Sequence, residues 1–127
     1  MQSNQYSVLV AENNPLHQSQ LANVFRRLGI SIDIVTDGAA LDGMLNRQWY
    51  SHIFVDSNLA QLNISQLNKD AKAFKANHEK PSYFIKLTSG SVDKLRAVSL
   101  FDDMMQKPLK LEHLEQCLEI HDVAAGV

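Results

Sequence analysis

His52-Ile53-Phe54-Val55-Asp56 is a nearly unbroken apolar run that closes on a carboxylate. A half-exposed strand alternates apolar and polar residues. A continuous run of this length reads instead as a strand covered on both faces, the pattern of a parallel sheet between helical layers. Its last residue carries a charge, and burying an unpaired charge is costly. Asp56 must therefore be solvated, paired or put to use. Two other apolar runs end in polar groups suited to meet it: Val8-Leu9-Val10-Ala11 leads into Glu12-Asn13-Asn14, and Met104-Met105-Gln106 leads into Lys107-Pro108.

Outward from that strand, apolar runs alternate with helical periodicity. Residues 6–11 read as a first strand. Pro15 suits an early helical position, Leu21, Val24, Phe25 and Leu28 mark one helix face, and Gly29 supplies the stop. Ile32-Asp33-Ile34-Val35 is a second strand, and Asp37-Gly38 turns into a helix with Leu41, Met44 and Leu45 facing inward. Beyond Asp56, a loop over residues 57–63 leads to a helix carrying Ile64, Leu67, Ala71 and Phe74, which Lys80-Pro81 breaks. Residues 83–87 form a fourth strand, and after Thr88-Ser89-Gly90 a short fourth helix carries Val92, Leu95 and Val98. A weak fifth strand covers residues 103–106, and a last helix over residues 111–121 has Leu111, Leu114 and Leu118 as its stripe. Five strands and five helices in alternation predict an α/β, doubly wound, five-stranded parallel sheet, because parallel neighbours need crossovers. In such sheets ligands sit beyond the carboxyl ends of the strands. Glu12, Asp56, Thr88 and Lys107 all fall there.

Composition narrows the function. At 127 residues the chain reads as a single domain (core about residues 6–121), long enough to bury a core without metal or disulfide support. An apolar fraction of 45%, a charged fraction of 20% and a net charge of −2 are those of an ordinary soluble globule, with no basic stripe for nucleic acid. No apolar run approaches the about 18 residues of a membrane span. The start, Met1-Gln2-Ser3-Asn4-Gln5, has no signal-peptide pattern, and a single cysteine, Cys117, fits a reducing cytoplasm. Cys117 lies beside Leu114 and Leu118 and reads as core. The five histidines, His17, His52, His78, His113 and His121, are scattered over different elements and read as surface side chains, not a metal set. Trp49-Tyr50 reads as packing at the opposite end of the sheet, and Lys110, Glu112, Glu115 and Glu119 as a solvated helix face.

Four pieces in order carry a family resemblance: residues 8–15, Ile53-Phe54-Val55-Asp56, Leu87-Thr88-Ser89, and Phe101-Asp102-Asp103 through Lys107-Pro108-Leu109. With them the chain resembles, over almost its whole length, the receiver domain of bacterial two-component response regulators and hybrid histidine kinases. The resemblance implies the flavodoxin-like strand order 2-1-3-4-5. It implies that Asp56 is a phospho-acceptor taking a phosphoryl group from a histidine kinase or histidine phosphotransfer protein. Two anions must then approach each other, and unit charges ~4 Å apart at an effective dielectric of ~20 repel by about 4 kcal/mol. In the family a Mg²⁺ ion cancels this; here Glu12, Asn13, Asp56 and the carbonyl of Asn58 match its ligands. Lys107 matches the lysine that meets a phosphoryl oxygen, and Thr88 the hydroxyl that follows the phosphoryl group. Slow autodephosphorylation is the only catalysis implied. The surface between Val92 and Leu118 matches a homodimer or output-domain interface. With no output domain in this sequence, a single-domain regulator or a module of a larger protein is expected.

The chain also departs from the family pattern. Asn13 stands where a second acid ordinarily binds the metal, which leaves two carboxylates of three and predicts weaker Mg²⁺ binding. Met104 replaces an aromatic residue that swings inward on phosphorylation; methionine can fill such a pocket. Leu59-Ala60-Gln61-Leu62-Asn63 replaces a Met-Pro-Gly-type loop, and Leu100 stands in place of a glycine and must avoid the left-handed conformation. These changes motivate an alternative: a degenerate receiver acting as a phosphorylation-independent protein-interaction module. A flavin protein is disfavoured, since Glu12-Asn13-Asn14-Pro15 would repel a phosphate. An aspartyl phosphatase is disfavoured by Asn58, where a second aspartate would stand.

Overall fold

A computed structural model describes residues 6–89, Leu95 and residues 99–120. The elements run β1 (Val8–Ala11), α1 (Pro15–Arg27), β2 (Ile32–Val35), α2 (Gly38–Leu45), β3 (His52–Asp56), α3 (Ile64–Ala76), β4 (Tyr83–Thr88), β5 (Asp103–Gln106) and α4 (Leu111–Ile120). All five strands are parallel, in the order β2-β1-β3-β4-β5. That is the expected sheet. Four helices stand among the described residues instead of five. The further helix expected around Val92 and Val98 lies outside the described residues, as does His121; Leu95 is buried.

The sheet is central because its strands are apolar on both faces. Val8, Val10, Phe54, Ile85 and Leu87 pack with Leu21 and Phe25 of α1 and with Leu114, Cys117 and Leu118 of α4. Leu9, Ala11, Ile53, Val55 and Phe84 pack on the other face with Leu41 and Leu45 of α2 and Leu67, Ala71 and Phe74 of α3. Two expected boundaries shift. Ile64, the first residue of α3, is exposed although the sequence predicts it on the helix's apolar face. The same helix ends at Ala76 with Asn77 as its cap, before Pro81 is reached.

Local signals set the helix ends. Asn14 caps α1, its side chain accepting from the N–H groups of Leu16 (2.9 Å) and His17 (3.2 Å). At the other end Gly29 takes φ 72°, with Gly29 N–H donating to Arg26 O and Ile30 N–H to Phe25 O, which closes the helix in a Schellman turn. Asp37 caps α2 through Ala40 N–H at 2.8 Å.

Across the α2–α3 contact, Asp42 and Asp70 meet as two carboxyl groups. Asp42 Oδ1 and Asp70 Oδ2 are buried with no donor side chain or backbone group facing them. Burial and then the hydrogen bond to Asp70 push the Asp42 carboxyl up to about 7, so a proton is held between the pair. A carboxyl whose pKa is raised on folding stabilises the fold below its unfolded pKa, and that contribution is lost as pH rises through about 7. The unfolding temperature should therefore fall between pH 6 and pH 8. Asp42→Asn, which supplies a permanent donor to Asp70, should flatten that slope and raise the pH 8 midpoint by about 2–4 °C. Thermal melts of both proteins across this range check it, and parallel slopes would refute the shared proton.

Candidate functional site

The parallel register brings the carboxyl ends of β1, β3 and β4 level, with Ala11 beside Val55 and Asp56 beside Leu87, while Thr88 pairs with Gln106 of β5. The residues that follow these ends converge. Glu12 leaves β1 with its N–H donating to Val35 O, and is fully buried. Asn14 N–H donates to Glu12 Oε2 at 3.3 Å, and Gln18 donates to the Glu12 carbonyl from the second turn of α1. Lys107 leaves β5 with its N–H donating to Thr88 O at 2.7 Å, ahead of a cis peptide bond to Pro108.

The Lys107 ammonium lies between two buried carboxylates. It bonds Glu12 Oε1 and forms an ion pair with Asp56 Oδ1 at 3.1 Å. The Asp56 contact is a charge contact without hydrogen-bond alignment. Burial pushes the Asp56 carboxyl up from the ordinary range. Lys107 opposes that shift, the Glu12 charge adds to it, and a backbone hydrogen bond from Asn58 opposes it. Two carboxylates against one ammonium leave the cluster one formal charge negative, which favours a further cation.

Glu12, Asp56 and Lys107 are in contact; Asn58 is tied to Asp56 through its backbone. Thr88 joins through its carbonyl to Lys107, with its side chain half-buried at the strand end. Asn13 is adjacent in sequence but exposed.

His52, read from sequence as a surface side chain, is fully buried in β3, and two expectations at the site also need correction. His17, read from sequence as a surface side chain, belongs to the site: its Nδ1 lies 3.0 Å from Lys107 Nζ and 3.3 Å from Glu12 Oε1. The signal was there in the N-cap at Asn14, which places residue 17 in the first turn of α1, over the end of β1. Met104, expected to fill an inward pocket, is 58% exposed, since its alternation on β5 with buried Met105 turns it outward. Leu100 does avoid the left-handed region; among the described residues only Gln61 and Gly29 have positive φ.

No protein-family model matches the chain. It is 31% identical over 121 residues to hybrid signal transduction histidine kinase K of Dictyostelium discoideum, covering 89% of this chain and 10% of that protein. It is 28% identical over 113 residues to the TorCAD operon transcriptional regulatory protein TorR of Escherichia coli, covering 86% of this chain and 46% of that one. The chain therefore spans less than half the length of these curated relatives. Among solved structures, the receiver domain of a Pseudomonas aeruginosa sensor histidine kinase, with a magnesium ion coordinated in its active-site cleft, superposes with a TM-score of 0.76 at 24% identity over 94% of this chain and 98% of that one. The chain has the fold of CheY-like receiver domains. The receiver domain of the yeast response regulator Ssk1, solved with the histidine phosphotransfer protein Ypd1, superposes on this chain with a TM-score of 0.72 at 21% identity, over 91% of each chain. No helix among the described residues is long and apolar enough to cross a membrane.

Proposed function

We propose that this receiver accepts a phosphoryl group on Asp56 from a histidine kinase or histidine phosphotransfer protein. The observation that carries the reading is the buried Lys107 ammonium held against both Glu12 and Asp56. In the transfer, an Asp56 oxygen bonds to phosphorus as the phosphorus–nitrogen bond of the donor phosphohistidine breaks, and the freed imidazole takes a proton. Lys107 gives up its contact with the reacting oxygen and meets a phosphoryl oxygen instead, neutralising charge where it accumulates. Thr88, half-buried at the end of β4, is the hydroxyl proposed to follow the phosphoryl group.

The donor set fits a hard divalent ion, being made of oxygens around a net negative charge. Glu12 and Asp56 would hold Mg²⁺, with the Asn13 amide oxygen and the Asn58 carbonyl completing the set. Bound there, the ion would offset repulsion between the carboxylates and an incoming phosphoryl group. Among the described residues, no three His, Cys, Asp or Glu side chains are grouped to hold a metal. Asn13→Asp restores a third carboxylate and should tighten Mg²⁺ binding about tenfold, since affinity in such sites follows carboxylate count. Titration calorimetry with Mg²⁺ on both proteins reads this directly. Equal affinities would remove Asn13 from the metal site.

The test of the main reading is covalent labelling. Incubation with acetyl phosphate and Mg²⁺ should add one phosphoryl group, seen as an acid-stable, base-labile mass increment. Decay of that increment should be slow, autodephosphorylation being the only catalysis expected. No label at saturating Mg²⁺ would leave the second reading, a protein-interaction module that works without phosphorylation, which the exposed Asn13 favours. Contacts of a homodimer or output domain through the surface between Val92 and Leu118 belong to either reading, and part of that surface lies outside the described residues.

A further inference from the structure

His17 is the one site residue with no part in the proposed chemistry. An ammonium has three N–H donors and no acceptor. Three groups surround Lys107 Nζ: Glu12 Oε1 and His17 Nδ1 (3.0 Å) in hydrogen-bonding range, and Asp56 Oδ1 in charge contact at 3.1 Å. The Lys107 side chain is only 4% exposed, so solvent does not readily replace a missing partner. Because the ammonium can only donate, this contact is a hydrogen bond in the tautomer whose ring proton sits on Nε2. The imidazole is itself held by the α1 cap, since His17 N–H donates to Asn14 Oδ1 at 3.2 Å.

We propose that His17 is a positioning residue that, with Glu12, aims the Lys107 ammonium at the phosphoryl group on Asp56. The proposal rests on Asp56 being the acceptor. When an Asp56 oxygen bonds to phosphorus, its contact with the ammonium passes to a phosphoryl oxygen. The two contacts that remain, to Glu12 and His17, set where the ammonium points. Glu12 alone leaves a flexible four-carbon stem free to rotate about one bond. A second acceptor, on a helix turn anchored by its own cap, fixes the direction.

Two measurements on the intact chain test this. The first is the rate of labelling by acetyl phosphate at saturating Mg²⁺. His17→Ala should slow it about tenfold, the effect of one lost hydrogen bond to a charged group. His17→Asn, whose amide oxygen falls near the position of Nδ1, should bring it back to within about threefold, which a merely space-filling role would not do. Equal rates for wild type and His17→Ala, or failure of the asparagine to rescue, would overturn the proposal. The second measurement needs no phosphate. The Lys107 ammonium should give a slowly exchanging ¹⁵N–¹H signal, assigned by its loss in Lys107→Arg, that broadens in His17→Ala and returns in His17→Asn. If that signal is indifferent to residue 17, the proposal fails. A wild type that takes no label while its ammonium signal depends on residue 17 would remove the phospho-acceptor reading, and with it the aiming role, leaving only the contact.

Discussion

Asp56→Asn should take phosphoryl labelling from one group per chain to background while leaving the domain folded. The amide matches the carboxylate in size but has no anionic oxygen to attack phosphorus. The electrostatics predict more than a loss of function. Burial raises the Asp56 pKa despite Lys107, so the charged form is held in the pocket at some expense in folding free energy. A neutral isostere relieves it, and Lys107 keeps its bonds to Glu12 and His17. The variant should therefore melt at or above the wild-type temperature at neutral pH. Mass spectrometry after treatment with acetyl phosphate, beside a thermal melt, reads both effects. Persistent labelling would place the acceptor elsewhere, and a lower melting temperature would mean that the Lys107 contact outweighs desolvation.

The second large effect is expected from backbone packing alone. Gly38 opens α2 with its N–H donating to Ala60 O at 2.9 Å, so the helix start and the loop after Asp56 are backbone to backbone. A Cβ at residue 38 would stand 2.2 Å from Gln61 O and 2.8 Å from Leu62 Cα. Those are main-chain atoms, and Gln61 is already held at φ 55°, a left-handed conformation that a side chain makes costly. Neither partner can yield as a flexible side chain would. Gly38→Ala should lose about 1–3 kcal/mol of stability, the usual range for overpacking, measurable by urea denaturation. Since the displaced loop carries Asn58, Mg²⁺ binding should weaken in the same variant. Unchanged stability would show that the loop re-seats freely. Gly43, where an added methyl group would meet open space, supplies the control: Gly43→Ala should be neutral or slightly stabilising in mid-helix.

Most of the architecture could be read from one-dimensional pattern, for reasons visible in single elements. The run at residues 52–56 is apolar at every position before Asp56 apart from His52, and that continuity is what a strand covered on both faces requires. The spacing of Leu21 and Phe25, closed by Gly29, marks α1 because burial and left-handed geometry act through local sequence. Asn14 is legible as a cap for the same reason. Where burial depends on what lies across the gap, pattern misleads. Ile64 and Met104 are apolar and exposed, while Glu12 is charged and fully buried.

The site divides along the same line. That Glu12, Asp56, Thr88 and Lys107 stand at strand ends follows from where apolar runs stop, and a parallel sheet aligns such ends on one edge. Their separations do not follow. Lys107 lies 95 residues from Glu12 and 90 from His17 in sequence, so their contacts depend on strand order, register and the pitch of α1 together. A histidine in the first turn of a helix looks like a solvated side chain until the segment after β5, separated from β1 by two strands, delivers an ammonium to its ring. The pairing of Asp42 with Asp70 likewise arises only when α2 and α3 pack. Local hydrophobic periodicity and capping specify elements, because they act between near neighbours in the chain. Charge pairing and pKa are set by distance and solvent access in three dimensions, and those exist only once the sheet has closed its layers.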